Sequence, residues 1–413
     1  MSTPTVTDIS NGYRLSWVEE GIEVTVSRIH QHKDGRVTAE IFYTNLPKKD
    51  TEPRKPFLPA RQVNLLSDRS LRDVAKTLEE RWSDRDYWSR LVEQTAHYTL
   101  TRLREGEPSV EIQSDRDAEP QPLEYLLWPI IPKCKPVMLF GEGGTGKTQF
   151  AALLMLCVTL PWADNPFGLV TNGHCTRTLV LDWENEAADW QRLTSDMCRG
   201  LDQTNIAFRH RRCVSTFSDD LEAIQREVRD HAIDMVIIDS VGEACGGDLK
   251  EEEGATKLFR GLRSMPGVTP ILIHHQSKTQ DEKKKTPFGS AYFWNMSRSI
   301  WEIRHTQEPG EHELDIGIFH RKANFSERFK PIGLHFSYEQ GVAVKLTSLL
   351  TVPGLSSQLS ASTRILSYLK SGKANNGQIS KALDLGESTV SMALTRLRGK
   401  GQVDKWGAEW GLV

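Results

Sequence analysis

The chain has 413 residues and a formal net charge of −3, so its length allows two or three domains and its bulk charge gives no general attraction to nucleic acid. Hydrophobic residues make up 38%, enough for buried cores, yet no apolar run approaches the ~20 residues of a membrane span, and the start Met1-Ser2-Thr3-Pro4 lacks the charged and apolar regions of a signal peptide. Six cysteines (134, 157, 175, 198, 213 and 245) form no C-x-x-C pair and no zinc spacing, so the expectation is a cytoplasmic protein with reduced thiols and no membrane partner.

Residues 1–104 predict a small α+β domain. Alternating apolar and polar residues at 23–29 and 36–42, with Asp34-Gly35 between them, give a hairpin; helices follow at 70–81 and 84–104. No chemical motif occurs there, and both a docking or oligomerisation role and a nucleic-acid contact stay open. Residues 105–122 are polar and rich in Glu, Asp, Ser and Pro, which reads as a linker.

From 123 to 347 short apolar runs alternate with helical stretches, the pattern of an α/β domain with a mainly parallel sheet. Strands are expected at 137–140, 178–182, 235–239, 270–275 and 299–304, with 314–321 and 332–338 as a closing meander. Helices are expected at 149–160, 188–199, 220–231 and 252–264.

The run Gly141-Glu142-Gly143-Gly144-Thr145-Gly146-Lys147-Thr148 satisfies G-x-x-x-x-G-K-[ST] between a strand and a helix beginning at Gln149, which is the setting a phosphate loop requires. Its glycines let successive N–H groups face phosphates, Lys147 reaches the β/γ-phosphates and the Thr148 hydroxyl suits Mg²⁺, so ATP and Mg²⁺ are the expected cofactors. Asp239 ends an apolar strand where a carboxylate serves the metal shell. A second strand ends in Asp182-Trp183-Glu184-Asn185-Glu186, and the period of two puts Asp182 and Glu184 on one side of an extended chain. Glu184 is the candidate for orienting the attacking water, with Asp182 and Glu186 as alternatives. A further strand ends in His274-His275-Gln276, and His275 or Gln276 would sense loss of the γ-phosphate. The loop 278–287, with Lys283-Lys284-Lys285, is either a phosphate-backbone contact or a solvated charge run.

Residues 348–361 are Ser-rich with Pro353-Gly354 and read as a second linker. Residues 362–413 have the rhythm of a winged helix-turn-helix: helices at 362–369, 378–383 and 387–399, a turn at Leu385-Gly386, and a wing at 403–410. From 361 on, eight Lys/Arg stand against four Asp/Glu, which favours nucleic acid, although winged helices also dock proteins.

The order of these motifs over about 125–347 resembles the RecA-like P-loop NTPases of the hexameric replicative helicase type, particularly the RepA-like plasmid and phage group. The resemblance rests on Gly141 to Thr148, Asp182-Trp183-Glu184-Asn185, Ile237-Ile238-Asp239-Ser240, His274-His275-Gln276, Gly289-Ser290-Ala291 and His320-Arg321-Lys322-Ala323-Asn324. It implies a homo-oligomeric, hexameric ring with ATP at each interface and Glu184 as the catalytic carboxylate. Arg321 or Lys322 would then act on the neighbour's nucleotide, with Arg298 a weaker candidate. Relatives often carry Glu-Asp where this chain has Glu184-Asn185, which leaves one acidic role open. The implied function is an ATP-dependent motor on single-stranded DNA, a replicative helicase of a plasmid, phage or mobile element, with replication proteins contacting the N- or C-terminal domain. An ATP-controlled DNA-binding regulator and a recombination-mediator ATPase are the other readings.

Overall fold

Alternating side chains along residues 12–45 fix the first sheet. It is a five-stranded antiparallel meander in sequence order, β1 (Thr5–Ile9), β2 (Gly12–Trp17), β3 (Ile22–Gln31), β4 (Val37–Asn45) and β5 (Pro56–Asn64), followed by α1 (Asp68–Arg81) and α2 (Trp88–Glu105). Leu15, Trp17, Val24, Val26, Ile41 and Tyr43 are buried in one cluster with Val74, Leu78, Trp88 and Leu91 of the helices. The Ser67 hydroxyl caps α1 by accepting the Ser70 N–H. The expected α+β character holds, with β1, β2 and β5 added to the two strands of the expected hairpin.

This is a computed structural model that describes the chain except residues 1, 10–11, 33, 47–54, 83–86, 107–108, 117–118, 120–121, 278–285, 290, 308–309 and 353. The chain divides into two units, 1–120 and 121–413. The Lys283-Lys284-Lys285 run and Ser290 lie outside the described residues.

The second unit opens with β6 (Tyr125–Trp128) and β7 (Ile131–Pro132) and continues through β8 (Val137–Gly141), α3 (Lys147–Thr159), β9 (Val170–Thr171), β10 (Thr178–Asp182), α4 (Ala187–Gly200), β11 (Arg209–Arg212), α5 (Leu221–Asp230) and β12 (Met235–Asp239). Next come α6 (Val241–Cys245), α7 (Glu252–Arg263), β13 (Thr269–His275), α8 (Ala291–Met296), β14 (Ser299–Thr306), β15 (Glu313–Ala323), β16 (Ile332–Ser337) and β17 (Ala343–Leu346). Nine strands form one sheet in the order β11-β10-β12-β13-β8-β14-β15-β16-β17. The run from β11 to β14 is parallel throughout, and β14 to β17 is the antiparallel meander expected from sequence.

The parallel strands send alternate side chains into two layers. Val137, Leu139, Val180, Ile237 and Ile271 pack under α3 and α4, whereas Met138, Phe140, Leu181, Ile238 and Leu272 pack under α5 to α8. Helix α3 is apolar on every side and buried along nearly its whole length, so the helix that starts at the phosphate loop has little freedom to shift.

The C-terminal module contains α9 (Ala361–Tyr368), α10 (Asn376–Leu383), α11 (Glu387–Gly399) and the hairpin β18 (Val403–Trp406) and β19 (Glu409–Leu412). Ile365, Ile379, Val390, Leu394, Leu397, Val403 and Trp410 form its own core. Asn375 caps α10 and the Trp410 indole N–H donates to Asn376, tying the wing to the start of that helix.

The segment 348–361, read as a linker from its serines, is packed: Leu349, Val352, Leu355 and Leu359 are buried in a cluster with Phe319 of β15. The spacing of these four apolar residues, three or four apart, places them on one side of the segment, a signal that the Ser-rich composition masks.

Candidate nucleotide site

The site lies at the carboxyl ends of β8, β10, β12 and β13, where an open parallel sheet presents its crevice. Gly146 enters α3 in the left-handed conformation with φ 78°, and a side chain on Gly141 would strike the Ile303 carbonyl at 2.4 Å, so the loop needs glycine at both positions. Ideal Cβ atoms on Gly143 and Gly144 meet nothing within 4 Å. The loop is therefore an open cradle at a helix N-terminus and fits a polyphosphate.

Lys147 Nζ donates to the carbonyls of Gly141 at 3.3 Å and Glu142 at 2.5 Å, and burial lowers its pKa. Thr148 Oγ1 donates to Asp239 Oδ2 at 2.7 Å. Burial pushes the Asp239 carboxyl up to about 7, against the opposing effect of the Thr148 hydrogen bond. A hydroxyl and one carboxylate in contact are hard oxygen donors that suit Mg²⁺ shared with phosphates. Among the described residues no three His, Cys, Asp or Glu side chains form a cage able to hold a metal alone.

The three carboxylates after β10 have separate environments. The strand stops at Asp182, so the expected pairing of Asp182 and Glu184 on one extended face is incorrect. Asp182 is fully buried and accepts the N–H groups of Glu184 at 2.7 Å and Asn185 at 2.6 Å and the Trp190 indole N–H at 2.5 Å. It holds the turn together. Glu186 precedes α4 and pairs with Arg212 at 2.8 Å. Glu184 alone of the three lines the phosphate cavity, a space of about 430 Å³ shared with Gly143 to Gln149, Asp239 and His275. Asn185, at the position where an acid was missed, donates its side-chain amide to Asp182 at 3.2 Å.

His275 and Gln276, the two alternative candidates for sensing the γ-phosphate, face different cavities. His275 Nε2 lies 3.7 Å from Glu184 Oε1, whereas Gln276 Nε2 donates to Glu142 Oε1 at 3.1 Å and lines a different cavity. Consecutive residues at a strand end diverge, which separates the pair. His274 is buried, with Nε2 2.8 Å from the Phe288 carbonyl oxygen, and desolvation pushes it down to about 4.

Arg321 and Lys322 do not line their own phosphate cavity; β15 runs antiparallel to β14, and Lys322 is in register with Ile300, which pairs with Met138 in the first half of β8. Arg321 is held by Glu302, and Lys322 Nζ donates to the carbonyls of Trp294, Asn295 and Ser297 beyond and within α8.

Sequence reasoning also missed Gln307, Leu314 and Tyr338, which line the same cavity from the meander. The Tyr338 hydroxyl donates to Gln149 Oε1 at 2.8 Å, which fixes the side chain at the first turn of α3. Only the pairing of β16 with β15 brings Tyr338 there, and no local motif announces it.

Residues 101–281 match the family model described as AAA domain, and residues 363–405 match the model described as bacterial regulatory protein, arsR family. A comparison with curated proteins found no match. Among solved structures, a KaiC-like protein from the hyperthermophilic archaeon Pyrococcus horikoshii aligns at 21% identity with a TM-score of 0.38, over 54% of this chain and 99% of that one. The central domain carries its phosphate loop on a mainly parallel α/β sheet, and the tail folds as a helix-turn-helix with a hairpin wing. No helix among the described residues is long and apolar enough to cross a membrane.

Proposed function

We propose that the protein is a Mg²⁺-dependent ATPase that drives a DNA-associated motor, a replicative-helicase-like ring of the RepA-like kind. The observation that carries the ATPase reading is the convergence of Lys147, the Thr148–Asp239 contact and Glu184 on one cavity. Water would attack the γ-phosphate in line; Glu184 would orient it, the loop N–H groups and Lys147 would offset the developing charge, and Thr148 and Asp239 would hold the metal. Mg²⁺ held there would supply charge neutralisation to the phosphates. The six free cysteines suit a reducing cytoplasm.

The motor reading is supported by the basic C-terminal module and by Arg321, which does not line its own phosphate cavity and would act on the nucleotide of a neighbouring copy in a head-to-tail ring. The test is ATP hydrolysis with and without single-stranded DNA for wild type and Lys147→Ala, with strand displacement on a forked substrate. Stimulation by single strands, salt-sensitive binding and displacement are expected. Hydrolysis indifferent to DNA would sink the motor.

An ATP-controlled DNA-binding regulator is the second reading, favoured by the match of 363–405 to a bacterial regulatory family. Tight sequence-selective duplex binding without strand displacement would select it.

A further inference from the structure

The end of β13 faces two ways. His275 meets Glu184 in the phosphate cavity, and Gln276 meets Glu142 behind the loop. That rear cavity, about 250 Å³, is walled by Glu142, Thr145, Gln276 and Arg304 on the ATPase side and by Leu355 and Gln358 from the packed C-terminal segment. Thr145 lines both cavities, and its hydroxyl donates to the Glu142 carbonyl at 3.0 Å. Two residues after Gln358, the Ser360 side chain caps α9 by accepting the Thr363 N–H at 3.1 Å. Packed side chains thus run from the phosphate loop to the first helix of the winged module with no free linker between.

We propose that residues 349–359 are a strap through which nucleotide at the phosphate loop sets the DNA affinity of the winged helix. The proposal rests on the reading of that module as a binder of duplex DNA. A polyphosphate in the loop places like charge near the Glu142 carboxylate, and a γ-phosphate beside His275 bears on the same strand end that carries Gln276. Both act on the wall shared with Leu355 and Gln358. Leu349, Val352, Leu355 and Leu359 share one buried cluster with Phe319, so a shift at Leu355 would be carried along the strap to Ser360 and α9. By reciprocity, duplex DNA changes nucleotide affinity by the same factor.

The experiment uses the full chain and a short labelled duplex of mixed sequence, with Mg²⁺ and ATPγS, with Mg²⁺ and ADP, and without nucleotide. Wild-type affinities in the triphosphate and diphosphate states should differ by about 5- to 150-fold. Gln358→Ala and Leu355→Ala should collapse that difference while leaving DNA-independent ATP hydrolysis unchanged. In parallel, hydrogen exchange of the 349–359 amides should respond to ATPγS in wild type and fail to respond in Lys147→Ala. Duplex binding that ignores nucleotide, or strap exchange that ignores it, overturns the coupling and spares the DNA reading. Absence of duplex binding in every state overturns the DNA reading and the coupling with it.

Discussion

Arg321 Nη2 lies 2.5 Å from Glu302 Oε2, and that carboxylate is 1% exposed. Glu302 also accepts from Arg304 at 2.8 Å, so one buried acid anchors two guanidinium groups on neighbouring strands. Glu302→Ala leaves both cations without it and should destabilise the second unit by about 3–5 kcal/mol. Arg321→Ala should cost less, since Arg304 remains on the acid. Chemical denaturation of the two variants checks the order. The same contact bears on any role of Arg321 at a neighbouring nucleotide: mixed wild-type and Arg321→Lys subunits should lose hydrolysis out of proportion to the variant fraction, without the loss of stability seen for Glu302→Ala.

Asp182 and Glu184 should separate structure from chemistry. Glu184→Gln should bind nucleotide as wild type does and lose about 10²–10⁴ in kcat, because only the group that orients water is changed. Asp182→Ala should lower stability by about 3 kcal/mol, because the indole N–H of Trp190 and two turn amides lose their acceptor. Nucleotide binding by titration calorimetry, with thermal melts, distinguishes them; equal melts for the two variants would contradict this division.

Acid should weaken the second unit through two buried histidines, whose combined effect outweighs the opposite one of Asp239, the carboxyl that takes up its proton from about pH 7 down. His320 is stacked between Trp301 and Phe329, its Nδ1 accepts the Phe329 N–H at 3.2 Å, and burial pushes it down to about 4, as it does His274. A histidine whose folded pKa is below the unfolded ~6.5 is bound by more protons when unfolded, so its contribution is complete above that value and is lost as pH falls towards 4. Melting temperature should fall across that window, and His320→Gln should flatten part of the slope.

The wing offers a direct electrostatic test of the DNA reading. Lys373 Nζ lies 4.3 Å from the centre of the Trp406 ring and Lys405 Nζ 5.8 Å from that of Trp410. If these ammonium groups contact phosphates, each alanine substitution should weaken duplex binding equally across sequences and lower the salt slope by about 1. A fluorescence anisotropy titration at several salt concentrations measures both.

Local chemistry made much of this protein legible. The phosphate loop needs eight consecutive residues, and buried parallel strands such as Val137–Gly141, Thr178–Asp182 and Met235–Asp239 are short apolar runs with an abrupt polar end, so sequence alone located the loop, Asp239 and the three helices of the winged module. The weakly alternating edge strand Thr5–Ile9 and the basic strand Arg209–Arg212 carry no such pattern, because an edge strand buries little of its surface.

Which carboxylate faces phosphate, where Tyr338 arrives and what the serine-rich segment does were decided only by tertiary structure. Strand ends and turns aim side chains through contacts with residues far along the chain: Trp190 claims Asp182, Glu142 claims Gln276, and Phe319 claims Leu355. Sequence spacing fixes periodicity within an element. It holds no record of which distant partner satisfies a buried polar group or covers an apolar one, and that choice follows from the packing of the whole sheet.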